Sequence, residues 1–235
     1  MDTGSLNYLW SLSIIHAYSS SGVQHAVISP GSRSTPLTLA CERHPEITSW
    51  VQVDERSAAF FALGLAVKSL QPVILVCTSG SAVANWLPAV VEANYSQVPL
   101  ILLSADRPEE LQDCGANQTI DQRHLFGSHV RAFHAIPEPA EEFLNDRHLQ
   151  ELVCKSRAQS KYPLRGPVHL NIPFREPLLP TDGNLNKSID LLSKTVLSQT
   201  AVCTGPVKPD SNHADIEALV NIIKQGDGII VLGRK

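Results

Sequence analysis

The sequence predicts an α/β fold: a doubly wound, mainly parallel six-stranded sheet with helices on both faces. Three observations predict it. Four apolar runs recur, His25-Ala-Val-Ile-Ser29, Trp50-Val-Gln-Val53, Pro72-Val-Ile-Leu-Val-Cys77 and Pro99-Leu-Ile-Leu-Leu103. Each ends in a small polar cluster: Pro30-Gly-Ser-Arg-Ser34, Asp54-Glu-Arg56, Thr78-Ser-Gly-Ser81 and Ser104-Ala-Asp-Arg107. Helical-looking stretches separate them, so each connection is expected to cross between parallel neighbours. The carboxyl ends of parallel strands share one edge, where open α/β sheets bind ligands. Four chain-distant clusters are thereby expected to meet in one site.

The elements follow in order. Leu6, Leu9, Trp10, Ile14 and Ala17 recur at helical spacing, so the chain opens with an amphipathic helix before the strand at 25–29. After the strand at 50–53, Ala58, Phe61, Ala62, Leu65 and Ala66 mark a helix that starts near Glu55. Residues 80–95 read as a buried helix that Pro88 bends or breaks. The segment 105–127 is long, polar and without period, the kind of loop that is usually functional or disordered. A fifth strand is expected over 129–136, a polar helix over 139–160 and a sixth strand over 166–172. This domain is expected to span 1–180. Residues 181–211, rich in Ser, Thr, Asn and Pro, read as a linker. The stretch 212–235 reads as the start of a second α/β domain cut short, so the chain is expected to be a piece of a longer protein.

Composition narrows the class. The 235 residues are 43% hydrophobic and 18% charged, enough for a sizeable core. A net charge of −4 provides no electrostatic footprint for nucleic acid, and no run approaches a membrane span. The N-terminus lacks a basic region followed by an apolar stretch, so no signal peptide is expected. Five widely spaced cysteines without a C-x-x-C read as reduced thiols of a cytoplasmic protein. Nine scattered histidines show no ligand spacing, and no metal site is expected from them.

The strand-end clusters hold the candidate chemistry, and each residue has two readings. Glu55 is either a carboxylate favoured by a helix N-terminus or a partner for a ligand nitrogen. Ser32 and Arg33 are either part of a solvated Pro-Gly turn or, with Gly31 allowing close approach, a fork for a carboxylate. The stretch from Thr78 to Asn85 is either a capped helix start or a set of amides and hydroxyls facing a ligand. Asp106-Arg107 is either a turn pair or the second guanidinium at the same edge. Asn117 and Gln118 lie in the long loop.

Together these segments are far more specific than any one of them. Ser29-Pro-Gly-Ser-Arg-Ser-Thr-Pro36, Asp54-Glu-Arg56, Thr78-Ser-Gly-Ser-Ala-Val-Ala-Asn85, Ser104-Ala-Asp-Arg-Pro108 and Asp113-Cys-Gly-Ala-Asn-Gln118 occur in this order. They closely resemble the N-terminal, pyrimidine-binding domain of thiamine-diphosphate enzymes, in the 2-succinyl-5-enolpyruvyl-6-hydroxy-3-cyclohexene-1-carboxylate synthase family of menaquinone or phylloquinone biosynthesis. The resemblance is strong over residues 5–180 and weak beyond. It implies a carboligase (a transferase) that decarboxylates 2-oxoglutarate and adds the succinyl carbanion equivalent to isochorismate, with thiamine diphosphate and Mg²⁺. Glu55 matches the family Glu that hydrogen-bonds the aminopyrimidine ring. Ser29, Ser81 and Asn85 match positions lining the pyrimidine pocket, and Ser32, Arg33, Arg107, Asn117 and Gln118 match substrate-side positions. The family builds its sites across a dimer interface, so a second subunit of a homodimer or homotetramer is implied.

The chain departs from the family pattern where the diphosphate and Mg²⁺ would be held. A family member carries a G-D-G motif with a downstream Asn-rich end, whereas Gly226-Asp-Gly228 is followed by only seven residues and reads as a turn. The 235-residue chain alone is therefore expected to be inactive. Two other readings stay open: another thiamine-diphosphate 2-oxo-acid carboligase or decarboxylase, and a non-catalytic half-protein that only binds.

Overall fold

The computed structural model describes residues 1–141, 147–181, 185–198 and 213–224. Six strands form one sheet: β1 (His25–Ile28), β2 (Thr48–Val51), β3 (Val73–Cys77), β4 (Leu100–Asp106), β5 (Phe133–Ala135) and β6 (Val168–Pro173). Their order is β2-β1-β3-β4-β6-β5 and every pairing is parallel, as expected for a doubly wound sheet. The helices in the first compact unit, Met1–Thr204, are α1 (Thr3–Ser20), α2 (Thr35–Arg43), α3 (Glu55–Ser69), α4 (Ser81–Ala84), α5 (Leu87–Tyr95), α6 (Arg147–Lys161) and α7 (Leu185–Leu197). The second unit, Gly205–Lys235, contains α8 (His213–Lys224).

Alternation along the central strands builds two cores, one on each face. Ala26, Ile28, Ile74, Val76, Ile101, Leu103, Val168, Leu170 and Ile172 share a cluster with residues of α1, α2, α6 and α7. Val27, Val73, Leu75, Leu100 and Leu102 share the other with Ala58, Ala62 and Ala66 of α3 and Val83, Trp86 and Val90 of the α4–α5 region. The fully buried residues of α3 are all alanines, Ala58, Ala59, Ala62 and Ala66, with Leu63 and Leu65 packed at the margin. Because α2 and α3 cover opposite faces, the chain reverses its winding at β1, and the switch point falls between the carboxyl ends of β1 and β3.

Several boundaries differ from expectation. The helix expected over 80–95 is two pieces, α4 and α5, with Asn85 as the C-cap of the first and Pro88 in the first turn of the second. Proline has no N–H to give a preceding turn, so the break falls just before it. The fifth strand shortens to Phe133–Ala135 because 127–129 form a 3₁₀ turn. The polar helix starts later, as α6. The strand expected at 50–53 pairs through Thr48–Val51 instead.

The linker expected over 181–211 contains α7, whose Ile189 and Val196 are buried in the core that α1 shares. The Tyr8 and Ser193 hydroxyls meet at 2.7 Å, so α7 belongs to the first unit rather than to a connector past Pro180. The Gly226-Asp-Gly228 turn and the strand read at 228–233 lie outside the described residues. Cys41, Cys77 and Cys114 are free, but Cys154 is disulfide-bonded, which corrects the all-thiol expectation. Wide spacing in sequence says nothing about proximity in space. Among the described residues no helix is long and apolar enough to cross a membrane.

Candidate functional site

The switch point gathers the first group of candidates. Ser29 follows β1 directly; its N–H donates to the Val76 carbonyl at 2.9 Å, which extends the β1–β3 ladder into the turn. Its side chain is buried, and the hydroxyl has no hydrogen-bond partner among the described residues. A buried orphan hydroxyl is costly, which makes it a fitting place for a ligand polar atom. Gly31 crosses Thr78 so closely that a Cβ there would lie 2.3 Å from the Thr78 Cβ. Close backbone approach is therefore required, and it joins the turn after β1 to the turn after β3.

Glu55 is the first residue of α3, capped by Asp54, whose carboxylate accepts the Ser57 N–H at 2.7 Å. Burial, reinforced by the Glu55 charge, pushes the Cys77 thiol at the end of β3 well above its ordinary pKa. The Asn85 amide donates to Glu55 Oε2 at 3.3 Å. Two residues from different clusters, expected to share one ligand, thus already meet. Ser81 opens α4 and is exposed, with its carbonyl accepting the Asn85 N–H at 3.2 Å.

The second group lies along the same edge toward β4. Arg33 is only 6% exposed; its Nη1 donates to the Phe174 carbonyl at 2.9 Å and its Nη2 to Glu176 at 2.8 Å. It is therefore a tie between the β1 turn and the segment after β6 as well as a candidate ligand. Arg107 donates through Nη1 to the Gln118 carbonyl at 3.1 Å. Its pKa is lowered, first by partial burial and then by the charge of Arg33. Gln118 is strapped to the turn after β3: Nε2 donates to the Ser79 carbonyl at 3.0 Å, and the Ser79 hydroxyl donates to the Gln118 carbonyl at 3.0 Å. Ser32 and Asn117 are exposed, and no hydrogen bond ties their side chains to the other candidates among the described residues.

Other polar residues at this edge were not among the sequence candidates. Gln122 and Asn171 are buried, and with Asp106 they line a cavity of about 630 Å³. Arg107, Arg123, Asp113, Asp121 and Glu138 also line it, whereas Ser29, Glu55 and Asn85 do not. Asn171 donates to Asp106 at 2.6 Å and accepts from the Ser104 hydroxyl at 2.7 Å, and Ser104 meets His169 Nε2 at 2.7 Å. Burial raises the Asp106 pKa against the hydrogen bonds it accepts. Burial also drives His169 down to about 3, assisted by His124, so that ring is neutral. One signal was legible: His169 and Asn171 sit two apart in a strand that is otherwise apolar, so both face one side of the sheet.

Comparison with known proteins agrees with the fold. Residues 11–125 match the family described as thiamine pyrophosphate enzyme, N-terminal TPP binding domain. The chain is similar to the 2-succinyl-5-enolpyruvyl-6-hydroxy-3-cyclohexene-1-carboxylate synthase of Dechloromonas aromatica, 48% identical across 99% of this chain and 41% of that protein. The synthase of the same name from Trichodesmium erythraeum is 43% identical across 99% of this chain and 40% of its own length. That of Listeria innocua is 56% identical across 68% of this chain and 27% of its own. The chain thus spans about two fifths of the length of the first two relatives.

Proposed function

We propose that the chain forms the pyrimidine-binding part of a carboligase, a reading supported by the match of residues 11–125 to the N-terminal TPP binding domain of thiamine pyrophosphate enzymes. The reaction is decarboxylation of 2-oxoglutarate and addition of the succinyl carbanion equivalent to isochorismate, in menaquinone or phylloquinone biosynthesis. The observation that carries this reading is the Glu55–Asn85 contact at the carboxyl edge of the sheet, the same edge where the buried Ser29 hydroxyl has no partner among the described residues. A carboxylate, an amide and a buried hydroxyl together match the mixed donors and acceptors of an aminopyrimidine edge.

When bound, thiamine diphosphate supplies the electron sink that loss of CO₂ from a 2-oxo acid requires. Glu55 offers a carboxylate to a ring nitrogen, and Asn85 orients that carboxylate. Ser81 stands at the rim. Arg107 and Arg33 bring positive charge to the neighbouring edge, which suits substrates that are both dicarboxylates; Arg33 already holds one carboxylate, that of Glu176. Ser32, Asn117 and Gln118 complete the substrate side. Among the described residues no group of three His, Cys, Asp or Glu side chains fits a metal ion. Mg²⁺ and the diphosphate are assigned to the further length that the relatives have.

A second subunit is part of the reading. Trp50, Val51 and Val53, on and just after the edge strand β2, are exposed, as are Phe60 and Phe61 of α3, with Val53 85% exposed. This apolar face flanks Glu55, and covering it with another copy would also close the pyrimidine site. A cytoplasmic location is included too; the exposed free thiol of Cys114 supports it, while the Cys154 disulfide does not.

The test uses protein that carries this chain with the remaining length its relatives have. Thiamine diphosphate, Mg²⁺, 2-oxoglutarate and isochorismate are supplied, and CO₂ release and isochorismate consumption are followed. Turnover of both substrates supports the reading. Robust turnover of pyruvate with none of 2-oxoglutarate overturns the substrate assignment.

A further inference from the structure

Gln122 lies in the long connection between β4 and β5, yet it is 1% exposed. Its Oε1 accepts the Gly80 N–H at 2.7 Å. Its Nε2 donates to Asn171 Oδ1 at 2.7 Å and to the Ala105 carbonyl at 3.2 Å. One loop side chain thus bonds to two neighbouring strands, β4 and β6, and to the turn after β3. Both amide hydrogens and an oxygen lone pair are used, so the side chain has one satisfied orientation.

The chain of bonds continues to the candidate site in both directions. Gly80 is the residue before Ser81, and its φ of +82° together with 2.9 Å from a hypothetical Cβ to the Gln118 Cγ leaves no room for a side chain. Asn171, held by Gln122, donates to Asp106, and the same Asp106 carboxylate accepts the Arg107 N–H at 2.7 Å. Gln118, four residues before Gln122, is strapped to Ser79 and receives the Arg107 guanidinium. Loops of this length are ordinarily mobile, and buried satisfied polar networks are what rigidify them.

We propose that Gln122 is a positioning residue that fastens the 107–132 connection to the sheet edge, holding Arg107 and Gln118 against the turn that presents Ser81. The inference rests on the carboligase reading for what Arg107 and Gln118 contact. The fastening itself does not depend on that reading.

Two variants test it. Gln122→Met keeps length and volume but removes every bond; Gln122→Glu keeps an acceptor for the Gly80 N–H and loses the donors to Asn171 and Ala105. Amide hydrogen exchange needs no activity. In Gln122→Met, Gly80 and Gly127, whose N–H donates to the His124 carbonyl at 2.8 Å inside the connection, should exchange about tenfold or more faster while Leu75 and Leu102 stay protected; in Gln122→Glu, Gly80 should stay slow and Gly127 should quicken. Unchanged exchange at Gly80 and Gly127 in Gln122→Met would overturn the proposal.

The second readout is kinetic, in the longer protein described above. Gln122→Met should lower kcat/KM for 2-oxoglutarate roughly tenfold, mostly through KM, yet only about twofold or less in an Arg107→Ala background. Equal losses in both backgrounds would mean that Gln122 acts on stability alone, and would overturn the positioning role. A wild-type protein without 2-oxoglutarate turnover would instead sink the functional reading, and the exchange result would still decide the fastening.

Discussion

Arg33 and Glu176 form an ion pair at 2.8 Å in which the arginine is almost fully buried and the glutamate is mostly exposed. With the Phe174 carbonyl on its other amino group, Arg33 joins two turns that lie 141 residues apart. A surface ion pair is worth little, but here the buried partner also satisfies a backbone oxygen.

This separates the two arginines. Arg33→Ala should cost about 1.5–3 kcal/mol of stability, because a charge-assisted bond is lost and the Phe174 carbonyl is left bare. For a domain of this size that is a fall of several degrees in Tm. Arg107→Ala should leave Tm nearly unchanged and lower kcat/KM for the dicarboxylate substrates roughly 10- to 150-fold. Calorimetry and steady-state kinetics on the same preparations check both halves. Equal Tm losses in the two variants would remove the distinction.

Glu55→Gln should preserve the fold, since the amide still accepts the Asn85 bond and Asp54 remains the cap of α3. It can no longer exchange a proton with a ring nitrogen, so activity should fall by roughly 10²-fold or more. Exchange of the thiazolium C2 proton, followed by NMR in cofactor-saturated protein, isolates this step. An unchanged exchange rate would refute the assigned role.

Gly31→Ala should destabilise the β1–β3 turn even though the residue it creates is small. The new methyl would lie 2.3 Å from the Thr78 Cβ, within a segment that has little freedom to retreat. Overpacking of this kind costs about 1–3 kcal/mol. Chemical denaturation should show the loss, and Thr78→Gly in the same chain should restore part of it.

His44 predicts an acid-sensitive contribution to stability. Its Nδ1 accepts the Glu46 N–H at 3.3 Å, so the neutral ring carries its proton on Nε2, which lies 3.1 Å from His16 Nδ1. Burial first, and His16 second, lower its pKa to about 4 from an ordinary 6.5, with Glu46 opposing. The folded state therefore binds fewer protons than the unfolded state between those values. Stability from this group is complete above pH 6.5 and is lost as the pH falls toward 4. His169 acts in the same direction. His44→Asn, which keeps an acceptor for the Glu46 N–H, should reduce but not abolish the slope of unfolding free energy over that window. An identical slope would exclude His44 as its source.

Much of the fold was legible because its signals are local. An unbroken apolar run such as Val73–Cys77 can only be buried on both faces, and the polar cluster after each such run had to lie at one edge of a parallel sheet. Glu55 and Asn85 could be assigned to that edge from strand ends alone. What the sequence left undecided depended on partners far along the chain. The helical period of α7 was hidden by averaging its composition, and the helix exists because Ile189 and Val196 find the core beside α1. β6 inserts between β4 and β5, an order no local pattern records. Arg33 reads as a free fork until Phe174 and Glu176 arrive to occupy it. Gln122 reads as one more polar loop residue. Tertiary structure buried it, and burial compelled its oxygen to find the turn after β3 and its nitrogen to find β4 and β6.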